Sequence, residues 1–149
     1  MKIKAKNLPR ELQLKALLVV IDDMTGKFWS AGGKFEDGWI ISDIRAFGHY
    51  AVKTDTMPPT IKPLSIKSNN KLTESNQIRF KISDDLAGID KIEGKLDGKW
   101  ALFEYDSKKN LITHKFDKTR FTFDKKHQLV LKITDYKGNK NTYEATFYK

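Results

Sequence analysis

Apolar and polar residues alternate with a period of two along most of this chain. Ile78, Phe80 and Ile82 share one side of an extended segment while Arg79 and Lys81 take the other, the mark of a half-buried β-strand. Leu129, Leu131 and Ile133 repeat the pattern, as do Tyr143, Ala145 and Phe147. Turn residues separate these runs: Asp37-Gly38, Asp97-Gly98, Lys108-Lys109-Asn110 and Lys137-Gly138-Asn139. Asp-Gly suits a tight hairpin because both positions tolerate positive φ. The pattern predicts strands at 60–66, 76–83, 90–96, 99–105, 110–116, 127–134 and 141–148, preceded by strands at 15–22, 27–30, 33–42 and 46–54. Asn7-Leu8-Pro9-Arg10-Glu11-Leu12 predicts one short helical turn with Pro9 at its first position. No sustained helical period occurs. The expected class is all-β. Seven short antiparallel strands in the back part predict an immunoglobulin/fibronectin-like Greek-key sandwich, preceded by a smaller, incomplete β-sheet module.

The segment Asp55-Thr56-Met57-Pro58-Pro59-Thr60-Ile61 divides the two parts. Consecutive prolines fix φ and deny helix to the preceding residue, so the junction is stiff and extended. The expected domains are a partial β-sandwich or β-sheet module at 1–56 and an immunoglobulin-like β-sandwich at 57–149. The front part is short for a core of its own. No apolar run approaches the ~20 residues that a membrane helix needs, so no transmembrane span is expected. The absence of cysteine removes disulfides, thiolate catalysis and cysteine-bound zinc together. Met1–Lys6 has no apolar core behind its charges and does not read as a signal peptide.

Net charge is +9, and residues 1–56 carry nine Lys/Arg against seven Asp/Glu, so most of the excess lies further along. The lysines alternate with apolar residues, as Lys132 does between Leu131 and Ile133. That arrangement describes a solvated sheet face, with lysines also guarding exposed edges. A nucleic-acid surface is not expected, since no arginine-clustered helix or RNA-binding aromatic signature occurs.

Enzymatic chemistry finds little purchase. His49, His114 and His127 are isolated, without the convergent spacing that zinc hydrolysis requires. His114 falls in line with Ile112 and Phe116 and reads as a packed or rim residue. Ser30, Ser42, Ser65 and Ser83 lie outside any nucleophile elbow, and no carboxylate pair stands out for glycoside hydrolysis. The glycines sit in hairpin turns, not ahead of a phosphate-cradling helix. No catalytic or cofactor-binding residue is assigned. Two constellations remain. Asp84, Asp85 and Asp135 lie in loops that a sandwich can bring to one end, making them candidates for Ca²⁺. The preferred reading of those loops is turn chemistry, with carboxylates bonded to nearby amides. Trp100 and Tyr105 are the candidate ligand contacts, able to stack on sugar rings. Alternation places Phe103 and Tyr105 opposite Trp100, so one of the two sets belongs to the core.

A family resemblance rests on motifs in order along nearly the whole chain. The front motifs are Leu8-Pro9-x-Glu11-Leu12, Lys15-Ala16-Leu17, Gly32-Gly33-Lys34-Phe35-Glu36-Asp37-Gly38-Trp39 and Phe47-Gly48-x-Tyr50. The junction Asp55-Thr56-x-Pro58-Pro59-Thr60-Ile61 follows, then Ile78-Arg79-Phe80-x-Ile82-Ser83-Asp84-Asp85-Leu86-x-Gly88-Ile89 and Asp97-Gly98-Lys99-Trp100. Glu104-Tyr105-Asp106, Thr134-Asp135-x-x-Gly138-Asn139 and Tyr143-Glu144-Ala145-Thr146-Phe147 complete the series. Together they resemble the carboxy-terminal β-sandwich region of Bacteroidetes lysostaphin-type zinc metallopeptidases, which cut peptidoglycan cross-links. The zinc ligands of that family belong to the peptidase domain, and no residue here takes their role.

The resemblance implies that the first strands of the front sandwich precede Met1, leaving open edges. It further implies a non-catalytic accessory module in the cell envelope, periplasmic or on the outer surface, with protein or cell-wall glycan as partner. Open edges add an expected homodimer through residues 13–54. The alternative is a glycan-binding or adhesion module using loop aromatics and acidic loops.

Overall fold

The computed structural model describes residues 1–67, 71–72, 76–117, 119 and 125–148. It is almost entirely antiparallel β-structure, in two units. The first comprises Met1–Met57, Asp85–Gly88 and Tyr136–Asn139; the second comprises Pro58–Asp84, Ile89–Asp135 and Lys140–Lys149.

Seven elements make the first unit's framework: β1 (Lys2–Lys4), a 3₁₀ turn (Arg10–Lys15), β2 (Ala16–Ile21), β3 (Phe28–Gly32), β4 (Lys34–Glu36), β5 (Trp39–Ile41) and β6 (His49–Thr54). They form two three-stranded sheets, ordered β1-β5-β4 and β3-β2-β6. The expected strand at 33–42 is divided by Asp37-Gly38, whose φ values of 49° and 81° turn the chain between Glu36 and its partner Trp39. The helical turn begins after Pro9 rather than at it, and Asn7 takes positive φ instead of capping. Strand β1, too short to show alternation, is recruited by pairing with β5.

The strand β2 is the centre of this unit. Its sequence Ala16-Leu17-Leu18-Val19 is continuously apolar and completely buried, as a strand covered on both faces must be. Ala16 and Leu18 face a small core with Ile40, against which Phe35, Tyr50 and Val52 pack. Leu17 points the other way, into a small cavity shared with Gly33, Ala87, Tyr136 and Lys137.

Those distant residues belong here because polar groups beside β2 need partners. Asp55, just past β6, is buried, and its Oδ2 accepts the Ala87 N–H at 2.8 Å while its Oδ1 accepts the Met57 N–H at 3.1 Å. The Asn139 side-chain amide donates to the Asp55 carbonyl at 3.0 Å. Lys15 Nζ donates to Asn139 Oδ1 and to the Lys137 carbonyl, and Lys137 Nζ in turn donates to the Gly33 carbonyl. The three sequence motifs beginning near Asp55, Ser83 and Thr134 thus supply one partly buried network.

Among its described residues the second unit carries eight strands: β7 (Thr60–Pro63), β8 (Gln77–Ser83), β9 (Ile89–Leu96), β10 (Lys99–Ala101), β11 (Glu104–Asp106), β12 (Leu111–Lys115), β13 (Lys126–Asp135) and β14 (Lys140–Tyr148). One sheet is ordered β10-β9-β13-β14 and the other β11-β12-β8-β7. Ile78, Phe80, Ile82 and Ile112 from one sheet share a core with Leu129, Leu131, Ile133 and Phe147 from the other. These are the inward positions of the period-two pattern, and the order of strands is that of an immunoglobulin-like sandwich.

The expected strand at 99–105 becomes two, on different sheets. The chain crosses the sandwich edge at Leu102-Phe103, which drives Phe103 into the core and lays its ring against Phe80 at 6.2 Å. Gly94 makes room for that ring: a Cβ built on Gly94 would lie 2.4 Å from a Phe103 ring carbon.

Two stability predictions follow from these contacts. Asp55→Ala leaves the Ala87 and Met57 N–H groups without their buried acceptor and lowers unfolding free energy by about 2–4 kcal/mol. Urea unfolding followed by tryptophan fluorescence tests this, and an unchanged midpoint would refute the role of the network. Gly94→Ala forces Phe103 aside and costs about 1–3 kcal/mol; pairing it with Phe103→Leu recovers part of the loss if the clash is its cause.

Candidate ligand-binding surface

Trp100 sits in the middle of β10, an edge strand of its sheet, directly opposite Lys95 of β9. Its neighbour Ala101 pairs with Gly94 and turns into the core, so alternation sends the indole outward. It is 73% exposed, and Leu102 beside it is also exposed. The turn before β10 is the two-residue Asp97-Gly98 hairpin, with φ of 52° and 76° at its centre. Trp100 borders a cleft of about 520 Å³, whose lining includes Lys99, Leu102, His114, Lys115 and Lys125.

Two histidines shape the walls. His127 is buried, and its Nδ1 lies 2.7 Å from Asp97 Oδ2; an ionised carboxylate can only accept, so Nδ1 carries the proton. Asp97 Oδ1 accepts the Gln128 N–H at 2.9 Å. Partial burial works against ionising Asp97, but the His127 ring, the Gln128 N–H and the Lys125 charge outweigh it and hold the carboxyl below its ordinary value. His114 is a rim residue, with Nδ1 2.8 Å from the Leu102 carbonyl and its ring between Phe103 and Phe116.

Tyr105 is placed elsewhere. It lies on β11 of the opposite sheet, paired with Ile112, and is 38% exposed, with its phenol pushed up by burial. Strand alternation alone grouped it with Phe103. The change of sheet after Ala101 separates them, burying Phe103 and leaving both Trp100 and Tyr105 at the surface, but not around one cleft.

The acidic candidates are assigned to different units. Asp84 and Asp135 belong to the second unit, where Asp135 is fully buried at the end of β13. Asp85 belongs to the first, and one of its carboxylate oxygens lies within 4.8 Å of one from Asp55. Both Asp55 oxygens already accept amide hydrogens, the turn chemistry expected of such loops. Asp55 gave no sign in the sequence of being the buried acceptor; its place before the Pro-Pro pair was the nearest signal.

The family model of the Zu5-like domain matches residues 1–55. This is the stretch that carries the two three-stranded sheets of the first unit. No curated protein matches the chain.

The Asp97–His127 pair predicts a pH dependence. A carboxyl whose folded-state pKa is depressed contributes stability that is present above its unfolded pKa, near 4, and is lost as pH falls through the folded value. Asp97 is about half exposed, so solvent screens the effect. Between pH 6 and pH 3 the Asp97→Asn variant should lose about 1–3 °C less in Tm than the parent chain. Identical curves would show that the pair contributes nothing.

Proposed function

We propose that this chain is a non-catalytic accessory module of a cell-envelope peptidoglycan peptidase, contacting protein or cell-wall partners through its second unit. Trp100 is the observation that carries the reading. An indole left largely in water at the rim of a cleft gives up the stabilisation that burial provides, and such residues serve best as contact surface. Lys99 and Lys125, which line the cleft together with Asp97 and Asp117, suit partners bearing both hydroxyl and anionic groups. The ordered sequence motifs support the association with a peptidase, and the envelope location rests on that association. The same indole favours a second reading, a glycan-binding or adhesion module, because its face can stack on a sugar ring.

Co-sedimentation of the full chain with purified peptidoglycan sacculi, and with a neutral insoluble glycan in parallel, tests both. Sacculi should retain the chain, and Trp100→Ala should weaken retention about 5- to 30-fold. Retention unaffected by Trp100→Ala would remove the cleft from the function. Equal retention on the neutral glycan would favour the second reading, and release of soluble fragments from sacculi by the chain alone would overturn the non-catalytic one.

A further inference from the structure

Edge strands are ordinarily guarded by charge, proline or brevity, because their free main-chain groups are templates for pairing. Most outer strands of the described sheets follow that rule. Lys2 and Lys4 mark β1, Lys34 and Glu36 mark β4, and Lys53 lies in β6. In the second unit Lys62 and Pro63 mark β7, Lys99 marks β10, Glu104 and Asp106 mark β11, and Lys140 and Glu144 mark β14. Strand β3 departs from it. Phe28-Trp29-Ser30-Ala31-Gly32 has no charge, pairs within its sheet on one side only, with β2, and leaves Phe28 41% and Trp29 54% exposed.

Hydrogen bonding shows which of its groups face outward. The Lys27 carbonyl accepts the Asp22 N–H, so Lys27 faces β2. Antiparallel ladders alternate inward and outward residues, which turns the main-chain groups of Phe28 and Ser30 away from β2 and those of Trp29 toward it. Beyond Ser30 the edge is taken: the Ser42 hydroxyl donates to the Ala31 carbonyl, and the Gly32 N–H donates to Ser30 Oγ.

We infer that β3 is a self-pairing edge, whose partner is β3 of a second copy of this chain, antiparallel about a two-fold axis through Trp29. In that register Phe28 faces the partner's Ser30 and Ser30 faces the partner's Phe28, so the outward N–H and C=O groups of both residues form four main-chain hydrogen bonds. Lys27 meets the partner's Ala31, and no like charges oppose one another. The two Trp29 residues meet as a non-hydrogen-bonded pair, where cross-strand side chains approach most closely. The product is one six-stranded sheet, β6-β2-β3-β3-β2-β6, an isologous dimer of the commonest symmetry. A contact this short is weak, with a dissociation constant of ~10 μM to ~1 mM.

Sedimentation equilibrium of the full chain across that concentration range provides the test. The parent chain should pass from monomer to dimer. Trp29→Lys and Trp29→Glu should each stay monomeric while keeping the parent's far-ultraviolet circular dichroism, and an equimolar mixture of the two should dimerise again. Rescue on mixing separates edge pairing from a folding defect, since two misfolded variants would not restore each other. Because the chain lacks cysteine, Trp29→Cys supplies a second readout: paired Cα atoms at ~4.5 Å lie within disulfide reach, and oxidation should yield a symmetric covalent dimer. A parent chain that remains monomeric throughout, or variant dimers as strong as the parent's, would overturn the inference.

Discussion

The first unit is organised by one constraint: its central strand has no side that tolerates water. Ala16 to Val19 are apolar without interruption, so β2 must be covered twice. Its own neighbours cover one face, where Leu18 and Ala16 meet Ile40. The other face takes short stretches from far along the chain, and a loop carried to such a place brings main-chain groups that cannot be left without partners. Asp55, Asn139, Lys15 and Lys137 supply those partners. The apolar strand and the polar network are therefore one device, in which hydrophobic cover is obtained from loops and the polar cost of burying loops is offset beside it.

The second unit solves a simpler problem with more chain. Its strands alternate cleanly, and two four-stranded sheets close on each other's apolar faces. One departure from regularity lies where the chain changes sheet. Crossing at Leu102-Phe103 leaves an aromatic inside, and Gly94 is the space it occupies. The same crossing strands Trp100 on the outer surface, beside a cleft lined by both lysines and aspartates. Core packing and the exposed indole thus share one structural cause.

Much of this was legible from residue order. The Asp-Gly turns stand where hairpins are tightest, and Ile78, Phe80, Ile82, Leu129, Leu131 and Ile133 occupy the core that alternation assigns them. His114 lies on the rim, as its alignment with Ile112 and Phe116 suggested. Other features were not legible. The grouping of Tyr105 with Phe103 assumed an unbroken strand, and periodicity carries no mark of the sheet to which a strand belongs. Strand β1 is three residues long, below the length at which alternation can be recognised.

By itself, the sequence determined the all-β class, the turns and the apolar strand faces, because these depend on local φ preferences and on a two-residue repeat. Tertiary structure decided that Asp55 would be a buried acceptor instead of a surface carboxylate. It also decided that Trp100 and Tyr105 would stand apart, and that β3 would be an uncharged edge. Each of these depends on which distant segment lies alongside. That choice is made by the summed burial and hydrogen bonding of whole strands, a quantity that no local pattern contains.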